Sequence, residues 1–241
     1  MRYLVVLLLL LATNLQAFEL TSSSSQAIVV ELYTSEGCSS CPPADKWLSR
    51  LKHDPRVFKS IIPMAFHVDY WDDLGWKDPW AQEAFSNRQR QLSLSLATPS
   101  VFAGLLSQVY TPAFLVSSQE WTKWRDYSVF PAVPQKVTGI LNASDEDGVL
   151  TVTYSKTGDY ELNVAYLGMG LESEVTAGEN HNRHLKHDFV VLDHFKVAGS
   201  NTWKLTLPEQ PKKGQKQTAI SIWLTKLDSY YIEQAVASLL P

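Results

Sequence analysis

The feature that most constrains this chain is a pair of cysteines, Cys38 and Cys41, the only two in 241 residues. They sit between a β-rich apolar run and a helical pattern. Residues 28–33 (IVVELY) read as a buried strand, and residues 34–37 (TSEG) as a turn. Residues 38–51 then read as a helix with Ala44, Trp47, Leu48 and Leu51 on one face. Pro42 and Pro43 suit its first turn, where a missing N–H costs nothing, and His53-Asp54-Pro55 ends it. As a staple this pair is weak, because closing so short a loop contributes only about 2 kcal/mol. A redox role is the stronger expectation.

A helix N-terminus presents unpaired N–H groups and about half a positive charge. Cys38 is placed where that field favours the thiolate, which is the nucleophile. Cys41, one turn further in, is placed to resolve a mixed disulfide. Further on, Val109-Tyr110-Thr111-Pro112 leads into an apolar run at residues 113–116. A strand, a C-x-x-C that opens a helix, and a later X-Pro that opens a third strand resemble the thioredoxin pattern. In that fold a cis-proline packs beside the cysteines. The expected fold class is therefore an α/β thioredoxin-like N-terminal domain over residues 27–134. An antiparallel β domain, sandwich-like, is expected over residues 135–241, where short alternating runs are separated by Gly and Pro.

Before both, residues 1–17 read as a signal peptide: Arg2, an apolar run at residues 4–12, and Ala17 at the expected cleavage point. The run is shorter than the roughly 20 residues a bilayer span needs. The chain is thus expected to be exported, periplasmic or extracellular, with no membrane span after cleavage. Export places the cysteines in an oxidising compartment. A net charge of −4 without a long basic run argues against nucleic acid as a partner.

The segments TSEGCSSCPPADKWL, FHVDYWDDLGWKDPW, NRQR and VYTP, and later GENHNRHLKHDFVV, are similar to an exported family catalogued as domain of unknown function 1223. The resemblance covers most of the mature chain. It implies a thioredoxin-like domain followed by a β domain and implies no activity.

The expected redox site comprises Cys38, Cys41, Thr111, Pro112 and Glu36, the last either relaying protons or sitting in a solvated turn. Asp69, Trp71 and Tyr110 are candidates for contact with substrate. Trp71 belongs to an acidic–aromatic segment, with Asp72, Trp76 and Asp78, that lines a cleft or covers the core. His67, at the end of the second strand (residues 61–68), reads as a structural histidine, a proton acceptor or a third metal ligand. Glu31, a charge in an apolar strand, reads as a proton acceptor for Cys41 or as facing a solvated edge. His181, His184 and His187 are each three apart, but their polar, loop-like context argues against metal binding. No cofactor beyond the Cys38–Cys41 disulfide is expected. The leading function is thiol–disulfide exchange with a thiol-containing protein or small molecule and an unidentified redox partner. The alternatives are copper handling by both thiols with His67, since Cys favours Cu(I), and a non-catalytic binding module.

Overall fold

The computed structural model describes residues 18–96, 109–126, 130 and 136–241. The signal segment read at residues 1–17 and the junction read near residue 134 lie outside the described residues. In chain order the elements are β1 (Phe18–Thr21), β2 (Ile28–Thr34), α1 (Pro42–Arg50), β3 (Ile61–His67), α2 (Glu83–Leu96), β4 (Ala113–Val116), β5 (Gln119–Glu120), β6 (Leu141–Glu146) and β7 (Val149–Tyr154). They continue with β8 (Tyr160–Met169), β9 (Leu171–Val175), β10 (Arg183–His187), β11 (Val190–Gly199), β12 (Thr202–Thr206), β13 (Gln217–Lys226) and β14 (Ile232–Leu239).

These strands form an eight-stranded sheet in the order β14-β13-β8-β11-β3-β2-β4-β5, a four-stranded sheet β1-β6-β7-β12, and the hairpin β9-β10. The chain is a β-rich sandwich, and the expected α/β thioredoxin-like fold class does not hold. The described residues contain two α-helices against fourteen strands. The strands that follow and precede the cysteines do not close into an α/β layer of their own. At Val190↔Ala65 the long strand β11 joins β3 in parallel, while its length pairs antiparallel with β8. Periodicity marks strands, but it carries no signal for which sheet edges will join.

Strands β2 and β3 are almost wholly buried and read as continuous apolar runs, as expected for parallel neighbours covered on both faces. Pro63 sits inside β3, two residues before β11 joins, so its missing N–H interrupts no ladder on that side. On one face of the large sheet, Val30, Leu32, Ala65, Val190 and Leu192 pack with Ala44, Trp47, Leu48 and Leu51 around α1. On the same face the four-stranded sheet packs its Leu141, Leu150, Val152 and Trp203 against Val164, Ile220, Ile222 and Val236. The opposite face carries Val29, Tyr33, Met64, Phe66, Leu167 and Trp223 under Phe85 and Leu92 of α2.

At Gly199 the buried indole of Trp203 lies so close that an added Cβ would stand 2.2 Å from Nε1. Gly199→Ala should therefore lower stability by about 1–3 kcal/mol through overpacking. Urea unfolding of the variant checks this, and an unchanged midpoint would show that the ring yields freely.

Candidate functional site

The cysteine segment is shaped by local hydrogen bonds. Gly37 N–H donates to Ser35 Oγ (3.1 Å) and Cys38 N–H to Ser35 O (3.2 Å), which turns the chain out of β2. Cys41 N–H donates to Cys38 O (3.1 Å), and Cys41 is the N-cap residue of α1. Cys38 and Cys41 form a disulfide with Cα atoms 5.4 Å apart. Both cysteines are buried, at 1% and 0% exposure, while Ser39 and Ser40 between them are exposed. Neither sulfur therefore stands open to solvent.

What covers Cys38 is largely what the sequence singled out. Its Sγ lies 3.3 Å from Ser40 Oγ and 3.8 Å from Thr111 O. The Thr111–Pro112 peptide bond is cis. Trp71 donates its indole N–H to Thr111 Oγ1 (2.8 Å), and its Cβ lies 2.9 Å from where a Cβ on Gly37 would stand. Trp71 therefore spans the two segments that flank the disulfide. Asp69 and Tyr110 are turned to other tasks. The Asp69 carboxylate accepts from Ser86 of α2, and Tyr110 pairs its hydroxyl with Glu120 and its carbonyl with Gln89.

Glu36 is buried, and its carboxylate is taken up by hydrogen bonds to other side chains. It accepts from Trp76 Nε1 (2.9 Å), from the Ser173 hydroxyl and from His187 Nε2 (3.0 Å). The solvated-turn alternative does not hold. His67 is fully buried and its Nδ1 is 2.7 Å from Asp78 Oδ2. Burial pushes its pKa down, but the Asp78 charge and hydrogen bond outweigh that and hold it at about 9. Asp78 correspondingly sits below the usual carboxylate range: burial opposes this, and His67 prevails. Asp45, one turn into α1, is shifted upward by burial, in part offset by His187 and His67.

Glu31 serves neither expected role. Strand alternation puts it with Val29 and Tyr33 on the α2 face, opposite α1, where it forms an ion pair of 2.6 Å with Arg88. Of the three spaced histidines, His181 and His184 are exposed, and His184 pairs with Glu172 and Glu174. His187 alone turns inward, because β10 alternates and buries Leu185 and His187.

Sequence reasoning missed the clamp supplied by the segment before β10. Asn180 is buried and donates to both Glu36 O (2.7 Å) and Cys38 O (2.9 Å), while Ser39 N–H donates to Glu179 Oε2 (3.0 Å). The signal was present in the GENHN run, 140 residues away from the cysteine loop it holds. This clamp also revises the electrostatics. Pro42 and Pro43 have no N–H to offer, and the Ser39 donor is taken by a carboxylate, so the helix end favours a thiolate less than its position alone implies.

A family model described as a protein of unknown function, DUF1223, matches residues 29–225. No curated protein matches the chain. Among solved structures, a protein from Agrobacterium tumefaciens is similar over 91% of this chain and 94% of its own, with a TM-score of 0.60 and 22% identity. HBP35 of Porphyromonas gingivalis is similar over 90% of this chain and 76% of its own, with a TM-score of 0.51 and 13% identity. At such identities the likeness speaks for the fold alone.

Proposed function

This chain belongs to the DUF1223 family, and from that premise we propose that it is an exported thiol–disulfide oxidoreductase acting through Cys38 and Cys41. The observation that carries the reading is the position of Cys38 Sγ, at the mouth of a helix and 3.8 Å from the Thr111 carbonyl. The acceptor dipole of Thr111 O can take the S–H of reduced Cys38. The reaction needs only a dithiol substrate. One substrate thiolate attacks Cys38 Sγ, the Cys38–Cys41 bond breaks, and Cys41 leaves as a thiolate that takes up a proton. The second substrate thiol then loses its proton and attacks the sulfur bonded to Cys38. Cys38 departs as a thiolate and is protonated. Two electrons and two protons pass to the protein, and the substrate becomes a disulfide. The reverse sequence reduces a substrate disulfide. Export to the periplasm or beyond, through residues 1–17, supplies a compartment in which the disulfide form persists.

Burial of both sulfurs means that exchange proceeds through an opened state in which Trp71 or the Thr111 segment gives way. The same burial favours a second reading, a closed and inert disulfide in a binding module. A redox titration of the purified protein in glutathione buffers, with thiols counted by alkylation under native conditions, separates the two. A reversible two-electron midpoint at or above about −300 mV supports exchange, since structural disulfides lie below that value. A disulfide that opens only on unfolding refutes it. The copper reading draws no support from the geometry: the free nitrogen of His67 converges with His187 and Asp45, and neither cysteine joins that group.

A further inference from the structure

We propose that Asp45, His67 and His187 bind a divalent metal ion of the zinc type, in a buried site separate from the cysteines. One ligand atom from each residue lies within 4.8 Å of the other two. The three come from α1, the end of β3 and the end of β10, and are exposed by only 6%, 0% and 3%. His67 Nε2 and His187 Nδ1 are buried without a hydrogen-bond partner, and the Asp45 carboxylate is buried with only the Thr34 hydroxyl near it, outside good hydrogen-bond geometry. The contact that comes nearest to pairing them, His187 Nδ1 to Asp45 Oδ2, spans 4.0 Å and is too long for a hydrogen bond. Unpaired buried polar atoms are uncommon, and here several of them face one point.

The other nitrogen of each ring is held by a carboxylate. His67 Nδ1–H donates to Asp78 (2.7 Å) and His187 Nε2–H donates to Glu36 (3.0 Å), so the remaining nitrogen of each ring faces the cluster, and His67 gives up the proton on that nitrogen when the metal binds. A carboxylate behind each metal-bound imidazole is the usual second layer of a metal site, because it fixes both tautomer and ring orientation. Asp78 is itself fixed by the N–H groups of Glu36 (2.8 Å) and Trp80 (2.9 Å). The cluster and its supports bring together three carboxylates, and their ion pairs among the described residues are with His67 and His187 alone. A cation at the centre balances this charge.

Two imidazole nitrogens and one carboxylate oxygen are a borderline donor set without thiolate, and suit zinc with a fourth position left for another ligand. Zinc bonds of about 2.0–2.2 Å set neighbouring ligand atoms roughly 3.4 Å apart. The three side chains therefore draw together by about 1 Å around the ion. Such an ion ties α1 to the β9–β10 hairpin, and so to the Asn180 clamp on the cysteine loop.

The test uses the purified full-length mature protein, stripped with a chelator and titrated with zinc chloride by calorimetry, with the metal content measured after gel filtration. The expected result is one zinc per chain and a raised melting temperature. X-ray absorption should show nitrogen and oxygen ligands without sulfur, a readout that needs no variant. Asp78→Asn should weaken zinc binding 10- to 100-fold, and His187→Gln should weaken it further. His184→Gln, at an exposed histidine outside the cluster, and the Cys38→Ser/Cys41→Ser double variant should retain the ion. Failure of stripped, folded protein to bind zinc overturns the proposal. So does sulfur in the coordination shell, loss of zinc in the cysteine double variant, full affinity in His187→Gln, or iron retained in preference to zinc.

Discussion

Arg88→Met should lower the stability of this protein by about 3–5 kcal/mol, the cost of leaving one partner of a buried ion pair alone. Arg88 reaches down from α2, and its Nη2 lies 2.6 Å from Glu31 Oε1, with Glu31 fully buried in β2. Its Nη1 donates to the Tyr33 hydroxyl, and its guanidinium stands 4.6 Å from the centre of the Phe66 ring. Removing it strands the Glu31 carboxylate between the sheet and the helix with no other cation in contact among the described residues. Tyr33, whose pKa burial already pushes far up, loses the donor to its hydroxyl oxygen. The pair itself is a different matter. Desolvating both charges cancels most of their attraction, so Glu31→Leu combined with Arg88→Met should recover most of the loss. Urea unfolding of the two single variants and the double variant gives the coupling directly. Additive losses would show that Arg88 acts through packing on Phe66 and not through Glu31.

The second large effect concerns the order of the two sulfurs. Given a substrate disulfide, Cys41→Ser should accumulate a mixed disulfide between Cys38 and one substrate sulfur, the other sulfur leaving as a thiolate that takes up a proton, and Cys38→Ser should reduce exchange to background. Cys41 caps α1, its carbonyl accepting from the N–H groups of Ala44 (2.8 Å) and Asp45 (3.1 Å), and the body of the helix shields it. Cys38 adjoins the exposed Ser39-Ser40 pair and faces the Thr111 segment, so an incoming sulfur meets it first. Because Pro42 and Pro43 remove donors and Glu179 occupies another, Cys38 should react first by virtue of its access rather than of the helix end. Alkylation of the reduced protein across pH, read by mass spectrometry, measures this. Faster labelling of Cys41 would reverse the assignment, and a Cys41→Ser variant that releases substrate at the wild-type rate would end it.

Legibility followed the range of each signal. The strand at Ile28–Thr34, the turn and the helix at Pro42–Arg50 were readable because each depends on neighbours within a few residues. The α2 helix is readable from Ala84, Phe85 and Arg88, which stand at helical spacing. Strands with one wet face were harder. The later residues of β6, NASDE, carry little apolar signal, and β10, RHLKH, buries only Leu185 and His187. Spacing alone grouped His187 with His181 and His184. The two-residue period of a strand separates it from both.

The sequence by itself determined the local unit: two cysteines on a tight turn between a buried strand and a helix, with Thr111-Pro112 available to face them. Backbone propensity and side-chain periodicity act over one or two turns of chain, so these features survive in any context. Only the tertiary structure decided that β11 would weld the early strands to the later ones in one sheet, that Glu31 would meet Arg88, and that Asn180 would hold the cysteine loop. The meeting of Asp45, His67 and His187 has the same origin. Such contacts are settled by which sheet edges pair and which faces bury each other across the whole chain, and no short window of sequence carries that information.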